Sequence, residues 1–352
     1  MSYKLGVIGY GNMGSWHCEN VTSRINGLDI AAVYDIDEKR RKIAAENGFF
    51  VCNTEDEFFK SDVDVILVAT PNSFHKTHCI SALLSGKNVI SEKPACLNCE
   101  ELEEIIEVAN KTGKLYTVHQ NRRFDIDYAL IRKILEGKEI GKPFYLNSRL
   151  YGNRGFSDAS WKSLYETGGG LLYDWGIHMI DQVLCLFESD KPTAVYAQLQ
   201  SIRMDKVDDV CRVDIDFESG MKVQIIADLW CYIGEARWHL EGSDGSAIID
   251  KWFGEEGKII CAKNQNISWE EGCVYTPNGM STTMWPRATH DLEELPLPTL
   301  DKKPRWEEYY ENIIAVLDGK AQPIVTHKQI RNAMKVMMAA FESAKTNQVI
   351  KL

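Results

Sequence analysis

Val7-Ile8-Gly9-Tyr10-Gly11-Asn12-Met13-Gly14 is the stretch that decides the fold. An apolar strand, Lys4 to Ile8, runs into it, and a helix over Asn12 to Arg24 leaves it. Three glycines spaced as GxGxxG arise by chance in many chains, and it is the strand before and the helix after that give them meaning. Gly9 makes the tight turn, Gly11 leaves no side chain in the way of a pyrophosphate, and Gly14 lets the helix lie close to the strand. The helix start then offers unpaired N–H groups to phosphate oxygens. Asp35 closes the next strand, Asp29 to Asp35, about twenty residues on. A carboxylate there accepts hydrogen bonds from the adenosine ribose and repels a 2′-phosphate, which favours NAD, while Lys39 and Arg40 leave NADP open. The bland alternative is a glycine turn in an α/β domain that holds no cofactor.

Outward from this stretch the pattern alternates. A charged helix spans Asp37 to Asn47, and Asp64 to Ala69 is an unbroken apolar strand, the mark of burial on both faces. Helix Ser73 to Leu84, strand Asn88 to Ser91, helix Asn98 to Asn110 and strand Leu115 to His119 continue the series. The succession predicts a doubly wound parallel sheet in a Rossmann domain over residues 1–120. Beyond Gln120 the pattern changes to an α+β domain, residues 121–352. It has helices at Asp125 to Leu135, Gly176 to Phe187, Arg305 to Leu317 and His327 to Lys345, and a strand at Phe144 to Tyr151. Between Thr193 and Ile249 short strands and tight turns predict a mainly antiparallel sheet. In Asp208 to Phe217, Arg212, Asp214 and Asp216 alternate with Val213, Ile215 and Phe217. Asn264 to Pro298, broken by Pro277, Pro286 and Pro296, reads as a surface excursion bordering the substrate entrance.

The formal charge of −11 over 352 residues argues against nucleic acid and anionic membrane as partners, since it repels both. The basic cluster Lys39 to Lys42 reads as one solvated helix face. With no leader-like start and no apolar run long enough for a bilayer, the expected location is the cytoplasm. Of the ten cysteines, Cys79, Cys185, Cys211 and Cys231 sit in apolar stretches and read as reduced core residues. Cys96 and Cys99 form the one CxxC, with no second pair or histidines at zinc-site spacing, so no metal is expected. A GxSxG nucleophile elbow is also missing.

Several further motifs occur in order: Ala69-Thr70-Pro71-Asn72 with His75, Glu92-Lys93-Pro94, Asn121-Arg122-Arg123-Phe124, and the run from Gly168 through Asp174 and His178 to Asp181. With the glycine fingerprint, they resemble the Gfo/Idh/MocA family of glucose–fructose oxidoreductases and inositol dehydrogenases over essentially the whole chain. The resemblance implies a nicotinamide cofactor and hydride transfer at a carbinol carbon of a sugar or cyclitol. It also implies an open sheet that serves assembly into a dimer or tetramer. Cofactor contacts are then expected from Gly9, Gly11, Asn12, Met13, Gly14, Asp35, Thr70, Pro71, Asn72, His75, Glu92 and Lys93.

The residues themselves support a site. Lys93 follows a strand whose carboxyl end faces the ligand crevice, where an ammonium stabilises alkoxide character. Most lysines, though, are simply surface residues. Asp174 and His178, four apart, share a face if the helix begins before Asp174. His178 then takes the hydroxyl proton, while Asp174 orients the imidazole or the substrate. A capping aspartate and a core histidine are the alternative. Arg122 or Arg123 can bond a substrate hydroxyl or carboxylate, or make a structural salt bridge. Tyr151, Arg154 and Trp161 precede the glycine run, where the family draws substrate contacts. Asp181 is given no chemistry. The expected reaction is oxidation of a secondary alcohol, with NAD-assisted glycoside cleavage and a non-catalytic nucleotide-binding regulator as rivals.

Overall fold

The computed structural model describes residues 2–157, 160–263, 274–275, 277, 279, 281–282 and 291–352. Most of the excursion expected at Asn264 to Pro298 therefore lies outside the described residues. The first part contains β1 (Tyr3–Ile8), α1 (Asn12–Arg24), β2 (Leu28–Tyr34), α2 (Glu38–Glu46) and α3 (Glu55–Lys60). It continues with β3 (Val65–Val68), α4 (His75–Leu84), β4 (Asn88–Ser91), α5 (Cys99–Thr112) and β5 (Tyr116–Val118). All five strands are parallel, in the order β2-β1-β3-β4-β5. The order reverses between β1 and β3, so the loops after these two strands open a crevice at their carboxyl ends. Every residue of β3 is buried, as its apolar run predicts. Only α3 has no counterpart in the sequence pattern. It is six residues long and mostly charged, and Thr54 starts it by accepting from the Glu57 N–H.

The second part begins with α6 (Ile126–Glu136) and β6 (Pro143–Tyr151), then α7 (Ile177–Leu186). Strands β7 (Pro192–Gln200), β8 (Val210–Phe217), β9 (Lys222–Asp228), β10 (Trp238–Gly242), β11 (Gly245–Ile249) and β12 (Gly257–Ala262) follow. A small hairpin joins β13 (Val274–Tyr275) to β14 (Ser281–Thr282), and β15 (Leu292–Leu295), α8 (Glu307–Leu317), α9 (His327–Thr346) and β16 (Ile350–Lys351) complete the chain. Among the described residues the large sheet has nine strands, ordered β15-β12-β11-β10-β6-β9-β8-β7-β16. Its pairs are antiparallel except β6 with β9. Cys211, Val213, Ile215 and Phe217 of β8 face the core and the alternate residues face outward, as the sequence alternation requires. On the core side lie α7 and α9, with the Ser343 hydroxyl of α9 accepting from the Ala197 N–H of β7 at 2.9 Å.

The last two helices also return to the first sheet. Tyr310 of α8 bonds His17 of α1 at 2.7 Å, Thr117 of β5 donates to the Val325 carbonyl at 3.0 Å, and Arg331 of α9 pairs with Glu103 of α5 at 2.7 Å. At the joint, Arg123 spends its guanidinium on the second part. It grips Asp181 of α7 bidentately at 2.6 and 2.7 Å and reaches the Ile324 carbonyl and Gln329. Asp181 is thus a structural anion, and its neighbour is buried with it. Breaking a buried pair strands the surviving charge at a cost of about 3–5 kcal/mol. Arg123→Ala is expected to lose about that much stability in urea unfolding; a loss below about 1 kcal/mol would show that this pair does not hold the joint.

Candidate active site

The glycine loop is shaped by close approach. Gly9 has φ +94°, and a Cβ on it would lie 2.6 Å from the Ala69 carbonyl oxygen, so the loops after β1 and β3 touch at the crevice. A Cβ on Gly14 would sit 1.8 Å from the Gly9 carbonyl oxygen, so only glycine lets α1 start there. Gly11 caps α1 without a side-chain cap among the described residues, which leaves the first N–H groups free for an anion. Asn12 and Met13 are exposed beside it. Asp35 is buried and fixed: one carboxylate oxygen accepts from the Tyr10 N–H at 2.7 Å and the other from the Asp37 N–H at 2.8 Å. Arg40 stands 3.7 Å from the same carboxylate, with Nη1 3.0 Å from where a Cβ of Gly11 would be. The loop, the open helix start and the fixed acid fit a dinucleotide.

The loop after β3 is held by side chains that the motifs single out. Thr70 bonds His78 at 3.2 Å, and Pro71 leads a short 3-10 turn over Asn72–Phe74. Asn72 is buried and donates to the Gly168 carbonyl at 2.7 Å, binding this loop to the glycine run of the second part. His75 is fully buried between the Thr70 and Pro94 carbonyls, at 2.9 and 2.8 Å. Their polar groups hold the crevice wall.

Lys93 comes just after β4, ahead of a cis peptide to Pro94. Its Nζ donates to the Asp174 carbonyl at 2.6 Å and to the Asp174 carboxylate at 2.8 Å. Lys162 donates to that same carboxylate oxygen at 2.8 Å. Burial favours the neutral acid, but the two ammoniums outweigh it and hold the Asp174 carboxyl well below the usual carboxylate range. For Lys93 burial prevails over Asp174, and its pKa falls below the ordinary lysine value. The backbone explains why Asp174 reaches the lysines. Leu172–Gly176 forms a π-turn ahead of α7, so Asp174 is off the α-helical line through His178 that the sequence spacing suggests. Asp174 makes no hydrogen bond to His178. His178 is 5% exposed, with Nδ1 buried and unpartnered among the described residues, so Nε2 is the nitrogen open to a ligand. Burial pushes its pKa well below the ordinary histidine value, and the Lys93 and Arg122 charges push the same way.

Beneath Lys93 lies a buried relay. A single oxygen of Glu92 bonds His17 at 2.7 Å and His119 at 2.9 Å, and the other side of His17 meets the Tyr310 hydroxyl. Burial opposes ionisation of Glu92, yet His119 and His17 overcome it and keep the carboxyl well below its usual range. Its second oxygen accepts from the Lys93 N–H at 3.3 Å. His17, Glu92 and His119 also form a set with metal-ligand chemistry, drawn from three distant segments that no spacing rule connects. Here both imidazoles are spent on the carboxylate. Neither Lys162 nor the relay was legible in the sequence as a site. For His17 a signal exists, a polar residue on the face of α1 shared with Gly14 and Val21; for Lys162 we find none.

The other expected substrate residues are spread out. Arg122 lies against Trp175, the residue after Asp174, at 4.9 Å. Trp161 is half-buried with the Lys162 ammonium 6.0 Å from its ring. Tyr151 ends β6, reaches Glu235 at 3.5 Å and has its hydroxyl pushed up to about 12 by burial. Arg154 is exposed and makes no ion pair among the described residues.

Residues 3–120 match the family model described as oxidoreductase family, NAD-binding Rossmann fold, and residues 128–248 match the GFO/IDH/MocA C-terminal domain. This chain belongs to the Gfo/Idh/MocA oxidoreductases. A scyllo-inositol 2-dehydrogenase (NADP(+)) of Bacillus subtilis is 26% identical over 353 residues, covering 99% of this chain and 96% of the relative. An inositol 2-dehydrogenase of Salmonella typhimurium is 27% identical, over 71% of this chain and 74% of that one. Among solved structures, an NAD-binding protein from Listeria innocua superposes with a TM-score of 0.87 at 33% identity, covering 100% of this chain and 97% of that one. This Gfo/Idh/MocA protein is therefore an NAD(P)-dependent dehydrogenase, and no helix among its described residues is long and apolar enough to cross a membrane.

The geometry around Asp35 makes the choice between the two cofactors testable. The buried carboxylate disfavours a 2′-phosphate, and Arg40 beside it is ready to receive one. NAD is expected to be preferred, and Asp35→Ser to move kcat/KM toward NADP by at least about tenfold. An unchanged NAD/NADP ratio, measured on both cofactors, would remove Asp35 from cofactor selection.

Proposed function

We propose that this oxidoreductase reversibly oxidises a secondary alcohol of a sugar, sugar derivative or cyclitol, with Lys93, Asp174 and His178 as its catalytic residues. The observation that carries the reading is the placement of an unspent, neutral imidazole beside the Lys93–Asp174 pair, at the carboxyl end of β4. Two relatives named as inositol dehydrogenases support the substrate class. NAD(P), when bound, would supply the hydride acceptor in its nicotinamide ring, and the glycine loop, the α1 start, Asp35 and the Thr70–Asn72 loop would hold the dinucleotide. Everything else falls to the chain. Nε2 of His178 accepts the hydroxyl proton, which a neutral imidazole does without first losing one of its own. An N–H of Lys93 stabilises the oxygen as it gains negative character. Asp174 keeps both ammoniums in place, and because Lys162 shares its load, Lys93 can turn toward substrate without leaving the carboxylate unpaired. We assign cofactor to residues 1–120 and substrate to 121–352, with a small polyol as partner, a cytoplasmic location and self-association as a dimer or tetramer.

NADH formation across polyols, sugars and glycosides tests this. Oxidation of a polyol or sugar is expected, with Lys93→Ala and His178→Ala each lowering kcat by at least about 100-fold. Wild-type turnover that survives both substitutions would remove these residues from the chemistry. Glycoside cleavage without net NADH would replace simple oxidation by redox-assisted elimination.

The depressed His178 pKa fixes the sign of the pH response. The base form is present below the ordinary histidine value, so kcat/KM for oxidation is expected to hold from about pH 8 to about pH 6.5 and to fall only below that. A midpoint near pH 7 that vanishes in His178→Ala would show an imidazole of ordinary basicity.

A further inference from the structure

Three arginines lie near the joint between the two parts, and two of them are held by short hydrogen bonds. Arg123 is spent on Asp181, Ile324 and Gln329. Arg237 is spent on Ser148, Gln182 and Asp127. Arg122 differs from both. The one polar contact of its guanidinium among the described residues is to Asp125 at 3.5 Å, the outer limit of a hydrogen bond, whereas both terminal nitrogens of Arg237 are bonded at 2.6 and 2.7 Å.

The guanidinium is nonetheless held in place. Its carbon lies 4.9 Å from the Trp175 ring, 5.0 Å from Phe253 and 5.9 Å from Trp252. Rings that cover the faces of a planar cation leave its donors at the edge. Phe253 adopts φ +57°, a left-handed conformation that a bulky residue rarely takes, and its N–H is tied to Asp127 at 3.0 Å. Strain of this kind persists where the surroundings impose it, and it collects at ligand clamps. Trp175 is also 5.9 Å from the His178 ring, so guanidinium and imidazole flank one aromatic wall.

The charges nearby point the same way. Lys93, Lys162 and Arg122 stand around the site, and the Asp174 carboxylate is taken by the two lysines. Glu92 is engaged by His17 and His119. Burial pushes the Asp125 carboxyl up to about 7, against the pull of Arg122, so it is only partly ionised at neutral pH. A chain of net charge −11 repels anions in bulk, which makes this cationic cluster a local construction.

We propose that Arg122 binds a carboxylate of the substrate through its free edge, so that the enzyme acts on an acidic sugar or polyol acid in preference to a neutral one. This rests on the polyol-oxidation reading above and names its substrate class. A planar carboxylate matches the edge of a guanidinium with two parallel hydrogen bonds.

Matched substrates test the proposal: glucose against glucuronate and galactose against galacturonate, with glucose 6-phosphate as a third arm, all followed as NADH formation. The acid of each pair is expected to show a kcat/KM about 100-fold above its neutral partner, and Arg122→Gln to abolish that preference mainly by raising KM. Arg122→Lys should keep only part of it. NADH binding by each variant checks that it is folded, and the wild-type comparison stands without the variants. Equal rates within the wild-type pairs, a preference for the phosphate, or a preference untouched in folded Arg122→Gln would each overturn the proposal while leaving polyol oxidation in place. No NADH from any neutral or acidic compound would instead overturn the reading beneath it, and this inference with it.

Discussion

Taking Asp174 out of water removes hydration that one ammonium ion poorly replaces, and here two are supplied. Lys93 comes from the cofactor-side sheet, Lys162 from the segment before the glycine run, and both meet on one carboxylate oxygen. The contact therefore does more than neutralise a charge. It ties the two parts of the molecule together beside the crevice, with the Lys93 charge near enough to His178 to lower its pKa. With two ammoniums on one oxygen, the carboxylate keeps a partner when either is drawn away, and only the loss of both strands a buried charge.

A second buried anion, Glu92, stands one residue before Lys93 and is balanced in a different way. Its partners are two imidazoles and a backbone N–H, so the negative charge is held by hydrogen bonds where Asp174 is held by opposite charge. The pairing has a geometric consequence. Lys93 has its side chain fixed by Asp174 and its own N–H fixed by Glu92, which leaves little freedom in the backbone after β4.

Local information carried most of the fold. The glycine loop, the unbroken apolar β3 and the alternation in β8 each state their conformation within a few residues, and the structure follows them. What stayed hidden depended on distance or on irregularity. The relay joins positions 75 and 293 residues apart, a separation that no spacing rule addresses. The sequence places the helix start at Gly176 and leaves its extension back past Asp174 as a condition, whereas Leu172–Gly176 forms a π-turn. For the same reason the four-residue interval between Asp174 and His178 suggested a contact that the backbone does not make. The two adjacent arginines of Asn121–Phe124 were equivalent in sequence. Only the presence of Asp181 on one side and three aromatic rings on the other distinguishes Arg123 from Arg122.

The return of α8 to α1 bears on the order in which the molecule is made. His17 emerges from the ribosome with the glycine loop, but its hydroxyl partner, Tyr310, is synthesised 293 residues later. Until then the buried His17 of α1 lacks one of its two hydrogen bonds, and Glu92 is bonded to an incompletely fixed partner. Two distant segments thus meet in one hydrogen-bond network, and the part that carries the glycine loop reaches its final form only after α8 has been made.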